Sequence, residues 1–426
     1  MNITQNQKIS QITEGTLVVG VDIGSTTHYA RAFNWRGIEV GKVYKFNNCR
    51  DQFERFMHWM QKLSDVNGIN KILVGLEPTG HYWFNLGHFL EASNIQICMV
   101  NPYHVKQSKE LDDNNQTKND RKDPKVIAKL VLEGRFSYPY VPTGVYADLR
   151  ILNNERLRST KRLTACKNQI ERWLSIYFPE YKQVFKDFEA ESSLIILENA
   201  CLPVDVVAMG VEGINSLWRA AKLRAVGLKK ATRLVETAKT SIGHTCGLKA
   251  ARMQLRLLLQ EYKNQLELDA QIMAEIEELL VDIPGSQELL KIKGIGIKAV
   301  AGFIAEVGDI GRFSSPKQIQ KLAGLSLKEN SSGKHKGETT ICRRGRARLR
   351  GILFNAVIPL LATNEGFQAI HSHYTKRDEN PLKRKQSVIA ICCKLIRIFY
   401  VILKRGAAYD ERKMLLDIKW YDSVAA

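Results

Sequence analysis

Asp22 stands inside Leu17-Val18-Val19-Gly20-Val21-Asp22-Ile23-Gly24, a run whose β-branched residues read as a buried strand with a carboxylate in it. An ionised Asp there needs a cation, a proton or a hydrogen-bond donor beside it. A second apolar run, Lys71-Ile72-Leu73-Val74-Gly75-Leu76, ends in Glu77-Pro78-Thr79-Gly80 and delivers another acid in the same way. Asn119-Asp120-Arg121-Lys122-Asp123-Pro124 adds two carboxylates three residues apart, a spacing that puts them on one face of a helical turn. Together Asp22, Glu77, Asp120 and Asp123 form the hard-oxygen donor set suited to Mg²⁺ or Mn²⁺. Two such ions about 4 Å apart can hold the attacking and leaving oxygens of a phosphoryl transfer. Plainer roles stay open for each acid. Asp22 also fits a strand-end acid bonded to loop amides, Glu77 a turn cap, Asp120 a solvated side chain, and Asp123 the N-cap of a helix opening at Pro124.

The elements that must position these acids alternate strand and helix over residues 15–110. After the Asp22 strand, 29–33 and 41–46 continue as an antiparallel meander. A helix follows at 52–64, with Phe53, Phe56, Met57 and Met60 on one face, then the Glu77 strand, a helix at 82–93 and a strand at 95–100. Strands first and then βαβα is the order of an RNase H-like, RuvC-type α/β domain, in which functional acids sit at strand ends. Residues 106–123 are polar and poor in apolar anchors, so they are expected to order only with metal or nucleic acid; helix resumes at 124–133.

The 426 residues allow two or three domains, and the formal charge of +19 argues for a polyanionic partner. No run of about 18 apolar residues stands out as a membrane span, which leaves nucleic acid as the partner. Residues 1–14 are polar and lack an apolar signal core, so a cytoplasmic location is expected. Eight cysteines, at 49, 98, 166, 201, 246, 342, 392 and 393, show no Cys-x-x-Cys pair and no His at zinc spacing. They read as reduced, mostly buried thiols. No repeat of 20–50 residues is visible.

A long helix rich in Arg and Lys is expected over 145–177, and a partner over 248–280, where Leu255, Leu259, Tyr262, Leu266, Asp269, Met273, Ile276 and Leu280 alternate at four and three. These predict an antiparallel coiled-coil arm, pairing within the chain or between chains, with a helical insertion at 182–247. Within the insertion only Gly227-Leu228-Lys229-Lys230 hints at a hairpin. The expected organisation is a metal domain at 15–144, the arm at 145–283 and a mainly α C-terminal domain at 284–410. That last domain opens with Ile292-Lys293-Gly294-Ile295-Gly296-Ile297-Lys298, a helix-hairpin-helix pattern in which glycines expose backbone amides and Lys293 and Lys298 flank them for a phosphate. A tight turn between core helices is the plainer alternative. Further on come Ser331-Ser332-Gly333-Lys334-His335-Lys336 and Arg343-Arg344-Gly345-Arg346-Ala347-Arg348-Leu349-Arg350. A serine hydroxyl can attack a phosphodiester held by cations, and the Arg run reads as a phosphate clamp or a solvated helix face. The stretch 387–404 reads as an apolar core helix.

These residues resemble the DEDD transposases of the insertion-sequence 110/1111 family and the related Piv-type DNA invertases. The N-terminal match rests on Val21-Asp22-Ile23 with His28, Glu77-Pro78-Thr79-Gly80 with Tyr82, Asn101-Pro102 and Asp120-Arg121-Lys122-Asp123. The C-terminal match rests on Gly294-Ile295-Gly296, Phe313, Leu322-Ala323-Gly324-Leu325, Ser332-Gly333, and Arg344-Gly345 with Leu349-Arg350. The resemblance implies that Asp22, Glu77, Asp120 and Asp123 bind divalent metal, and that Ser332, with Ser331 in reserve, forms a covalent link to double-stranded DNA. It further implies a homo-oligomer, dimer or tetramer, in which the metal domain of one subunit meets the serine domain of another. A noncoding (bridge) RNA that guides the recombination is implied as well. This sequence departs from the pattern at Pro124, where a small residue is usual, and in the insertion at 182–247, which many shorter members lack.

Two readings from other classes stand beside this one. Asp22-Ile23-Gly24-Ser25-Thr26-Thr27 also resembles the phosphate loop of actin- and heat-shock-type ATPases and sugar kinases, but no Gly-Gly adenosine turn follows. A non-catalytic nucleic-acid-binding protein would use the hairpin and the Arg run alone and leave the four acids unexplained.

Overall fold

The computed structural model describes residues 4–78, 80–112, 122–328, 331–332, 335–336 and 339–416. The chain divides into two compact units, Met1–Val141 and Pro142–Ala426.

The first unit opens with a short helix α1 (Gln5–Ile9) and then β1 (Thr16–Ile23), β2 (Thr27–Phe33) and β3 (Tyr44–Asn47). Next come α2 (Arg50–Val66), β4 (Lys71–Leu76), α3 (Trp83–Ala92), β5 (Gln96–Val100), α4 (Pro102–Asp112), α5 (Asp123–Leu132) and a two-residue β6 (Phe136–Ser137). The strands make one sheet in the order β3-β2-β1-β4-β5-β6. The β1–β2, β2–β3 and β5–β6 pairs are antiparallel, and β1–β4 and β4–β5 are parallel. The parallel centre is buried on both faces, which explains the near-continuous apolar runs of β1 and β4. One face packs Leu17, Val19 and Val21 against Phe56, Met60 and Leu90 of α2 and α3. The other packs Val18 and Leu73 against Val126, Ile127 and Val131 of α5.

α4 corrects one expectation. The polar stretch 106–123 begins as helix, because Asn101 accepts from the Tyr103 amide and buried Val105 anchors the turn. Residues 113–121 lie outside the described residues.

The second unit is built on two long helices, α6 (Val145–Tyr177), which precedes α7 (Tyr181–Val184), α8 (Glu191–Asn199), α9 (Pro203–Ala220) and α10 (Leu228–Lys239), and then α11 (Leu248–Val281). α6 and α11 pair antiparallel within the chain: Trp173 Nε1 donates to Ala251 O at 3.0 Å, Cys166 Sγ lies 3.3 Å from Leu258 O, and Leu149 shares a core with Ile276. Their far ends close on α7 to α10 around Ile170, Trp173, Trp218 and Leu234. Their near ends close on a second core formed with α12 (Ser286–Leu290), α13 (Ile297–Val307), α14 (Pro316–Leu322), α15 (Ala347–Thr363), α16 (Glu365–Lys376), α17 (Arg384–Arg405) and α18 (Glu411–Leu415). Between α14 and α15 the backbone makes four two-residue strands: β7 (Leu327–Lys328), β8 (Ser331–Ser332), β9 (His335–Lys336) and β10 (Thr340–Ile341).

Between the two cores the α6–α11 contact turns polar. Asn153, Arg156 and Ser159 are buried on α6, facing half-buried Gln265 and Asp269. Arg156 bonds Asn153 Oδ1; desolvation lowers its pKa and the charge of Asp269 opposes the fall. The predicted seam therefore shifts at its centre. Leu266 is 39% exposed, and Gln265 takes its place.

Among the described residues α17 is the one helix long and apolar enough to cross a membrane, by length and composition, although no such run was expected. Its charges at Lys394 and Arg397 interrupt the apolar run, yet Ile391, Cys392, Leu395 and Phe399 are fully buried in the core. All eight cysteines are unpaired.

Candidate carboxylate site and nucleic-acid interface

Gly20 and Gly75 are partners across β1 and β4, and both face α5. A Cβ on Gly20 would lie 1.9 Å from Pro124 O, and one on Gly75 would lie 2.6 Å from Val131 Cγ2. Two absent side chains thus make the seat into which α5 sinks. Strand alternation carries Asp22, two residues beyond Gly20, to the same face, and Glu77 is the first residue past the end of β4. Val21 pairs with Leu76, so Asp22 and Glu77 each follow that pair in the chain at the carboxyl ends of the parallel strands β1 and β4. Asp123 is the first residue of α5, adjacent to the Pro124 carbonyl that rests on Gly20. All three acids are half-buried.

Asp123 does not cap its helix. The N-cap is Lys122, whose own side chain makes no cap bond, and Asp123 is the first residue inside the helix. The capping alternative therefore falls away. Asp120 lies outside the described residues, and among the described residues no three His, Cys, Asp or Glu side chains are grouped closely enough to hold a metal ion by themselves.

His28 accompanies Asp22 in the sequence motif but not in space. It pairs with Ile23, packs edge-on against Phe46 at 5.1 Å and sits on the α2 face, opposite the acids. Neither ring nitrogen meets a partner at hydrogen-bond geometry, and the same holds for Asn48 Oδ1. Burial lowers the His28 pKa, and the neighbouring Asn48 side chain opposes that shift. The structure also adds Gly20 and Gly75 to the residues that matter. Their signal was a lone glycine inside each apolar strand.

In the second unit the segment expected to be a loop around the serines is a β-hairpin. Thr340 and Ile341 pair with Lys328 and Leu327, and beyond them Ser331 pairs with Lys336 and Ser332 with His335. Ser332 with His335 is the last described pair of that ladder. Lys334 lies outside the described residues.

Ahead of α13, Gly294 adopts φ +95° and Gly296 is an extended N-cap, with Lys293 and Lys298 exposed on either side. The amides of Gly296, Ile297 and Lys298 bond no acceptor among the described residues. Lys298 also lies 3.9 Å from Asp269. The structure divides the arginine run. Arg346 donates to Glu306 O at the end of α13 and lies 3.4 Å from Glu306 Oε2; Arg150 joins it there by bonding Ala305 O at 2.9 Å. Arg350 bonds Ala323 O at 2.9 Å, and Arg348 bonds Asn154 Oδ1 at 2.8 Å. Arg343 and Arg344 are exposed and make no such bond.

Comparison with known proteins agrees with this layout. Residues 19–179 match a family model for the DEDD transposase of IS110, and residues 286–372 match the model described as "Transposase IS116/IS110/IS902 family". The pilin gene-inverting protein of Moraxella bovis is 32% identical over 127 residues, 29% of this chain and only 38% of that relative's length. The insertion element IS116 uncharacterized 44.8 kDa protein of Streptomyces clavuligerus is 22% identical over 292 residues, covering 67% of this chain and 71% of its own. The insertion element IS900 uncharacterized 42 kDa protein of Mycobacterium paratuberculosis is 22% identical over 300 residues, covering 68% and 73%. With the two models matching its carboxylate unit and its serine-bearing unit, and together taking in more than half of its residues, the chain belongs to the IS110/IS116/IS902 family of transposases.

Proposed function

We propose that this chain is a DNA transposase that cuts and rejoins insertion-sequence DNA, with metal-binding carboxylates in an RNase H-like first unit and a serine nucleophile in the second. The strand order, an antiparallel trio continued by parallel strands, supports the RNase H-like reading of the sheet. The observation that supports the functional reading is that Asp22 and Glu77 directly follow the paired Val21 and Leu76 at the ends of two parallel strands, with Asp123 at the start of the helix that rests on Gly20. Carboxylates gathered at parallel strand ends in a chain of charge +19 suit a hard cation and the phosphate it attracts.

Asp22, Glu77, Asp120 and Asp123 are the residues that would hold Mg²⁺ or Mn²⁺, which when bound polarises a phosphate oxygen and neutralises developing charge. Ser332, with Ser331 as the alternative, supplies the attacking hydroxyl. Its Oγ–P bond forms as one P–O bond of the DNA backbone breaks, and the proton lost from Oγ ends on the released DNA oxygen. Lys293, Lys298, Arg343 and Arg344, with the amides around Gly294 and Gly296, bind backbone phosphates; Lys334, Lys336, Arg346, Arg348 and Arg350 belong to the same basic surface. An oligomer in which the acids of one subunit serve the serine of another, and a noncoding guide RNA, complete the proposal. The pilin gene-inverting protein, by its name, inverts a gene, an operation that also needs cutting and rejoining.

The test incubates the protein with Mg²⁺, the DNA ends of its own element and their flanking transcript. A covalent protein–DNA adduct is expected, lost in Ser332→Ala. Asp22→Asn is expected to lose the adduct and keep salt-sensitive DNA binding. An adduct that survives both Ser332→Ala and Ser331→Ala would overturn the serine assignment, and one that survives Asp22→Asn would overturn the metal site.

A further inference from the structure

We propose that the helical insertion carries a second nucleic-acid-binding surface, formed by the end of α9, the loop at 221–227 and the start of α10, which takes backbone phosphates as the hairpin before α13 does. It lies between the segments matched by the two family models and involves none of the carboxylates.

The first observation is an internal repeat. Lys222-Leu223-Arg224-Ala225-Val226-Gly227-Leu228-Lys229-Lys230-Ala231 aligns without gaps on Lys291-Ile292-Lys293-Gly294-Ile295-Gly296-Ile297-Lys298-Ala299-Val300. Cations recur at the first, third and eighth positions, glycine at the sixth, and apolar residues at the second, fifth, seventh and tenth. The same offset carries into the helices: Ala231, Leu234, Val235 and Ala238 are buried in α10 as Val300, Phe303, Ile304 and Val307 are in α13. Backbone detail repeats as well. Gly227 and Gly296 are both extended N-caps, and each accepts from the residues three and four further on, at 3.0 and 3.1 Å in one hairpin and 2.9 and 3.2 Å in the other. The loops differ before that point, since the left-handed residue is Lys222 at φ +58° in one and Gly294 in the other.

The second observation is charge. Between Glu212 and Glu236 the chain holds six basic residues and no acid. Two of the six serve the fold: Arg219 bonds the carbonyls of Leu223 and Val226 at 2.8 and 2.6 Å, and Lys230 lies 4.2 Å from the Phe185 ring. The other four, Lys222, Arg224, Lys229 and Arg233, are exposed and have no ion-pair partner among the described residues. In the sequence they flank the amides of Gly227, Leu228 and Lys229, which bond no acceptor among the described residues. Exposed cations around open amides match the anionic oxygens of a phosphodiester, which repeat along the chain whatever its sequence, so the partner is the backbone of a nucleic acid.

The test measures binding of the full-length protein to a DNA duplex and to an RNA duplex of one arbitrary sequence across a salt series. In the variant Arg224→Ala/Lys229→Ala/Arg233→Ala, affinity is expected to fall about tenfold or more, and the slope of log K against log salt to become shallower by about 2–3 for DNA. Lys229→Glu alone is expected to make the slope shallower by about one. Loss on DNA alone assigns the surface to DNA, loss on RNA alone to RNA, and loss on both to the shared backbone. Wild-type slopes on both probes, in variants with the wild-type circular dichroism and melting, would overturn the proposal. Binding is read without cleavage, so this outcome is independent of the adduct test above.

Discussion

The carboxylates are set in place by residues that carry no functional group. Pro124 O lies where a Gly20 side chain would be, and Val131 and Ile127 crowd the corresponding place at Gly75. Gly20→Ala is therefore expected to lower stability by about 1–3 kcal/mol in chemical denaturation, because an added methyl against backbone forces α5 to shift. His28 predicts a pH effect. Its folded pKa is below the usual 6.5, so the unfolded chain takes the proton first as pH falls. The stability is full above about pH 6.5 and is lost as pH drops through that value and then through the lower folded pKa. Melting followed from about pH 7.5 to about pH 5 is expected to show a shallower fall in His28→Phe than in the wild type. Some slope remains, because His371 and His373 are lowered in the same direction. Asp22 and Glu77 were legible as strand-end acids because a charge inside an apolar run has no other cheap explanation. The separation of His28 from them was not legible, since only the pairing of Ile23 with His28 reveals that the side chains take opposite faces.

Among elements, the long helices were the most readable, because an apolar stripe over some thirty residues leaves little choice of period. The centre of their seam was misread for a physical reason. A pattern counts leucines, but burial at that point follows the partner helix, which presents Asn153, Arg156 and Ser159. Leu266 points to solvent, and Leu266→Ala is expected to change stability by less than about 0.5 kcal/mol. Ile276→Ala, in the packed half of the same helix, is expected to cost about 2–5 kcal/mol. Similar losses from both would restore the original seam. The short strands around Ser332 escaped notice because two-residue ladders leave no periodicity, and β6 was missed on the same ground. The hairpin before α13 was legible from its glycines, whereas its counterpart in the insertion has Ala225 in place of one of them and left only a trace.

At the scale of the molecule, charge pointed to the partner class and the alternation of strand and helix to the first unit's architecture. The insertion was opaque as a fold because its four helices, one of them broken at Gly210, close on a core they share with α6 and α11. The first unit, in contrast, has two apolar layers of its own, one on each face of the sheet. A fragment ending at Val141 is accordingly expected to unfold cooperatively in urea and to give dispersed amide resonances. A fragment that stays collapsed without a transition would show that the unit borrows its stability from elsewhere. The seat beneath α5 also bears on how inactive alleles should be sought. Alleles at positions 20 and 75 would impair the activity proposed above while leaving every carboxylate and every arginine in the gene, and their defect would be conditional on temperature. A screen restricted to charge-altering changes would pass them by, and a suppressor of an allele at 75 would arise as a smaller residue at 127 or 131, whereas one at 20 meets backbone that no such change relieves.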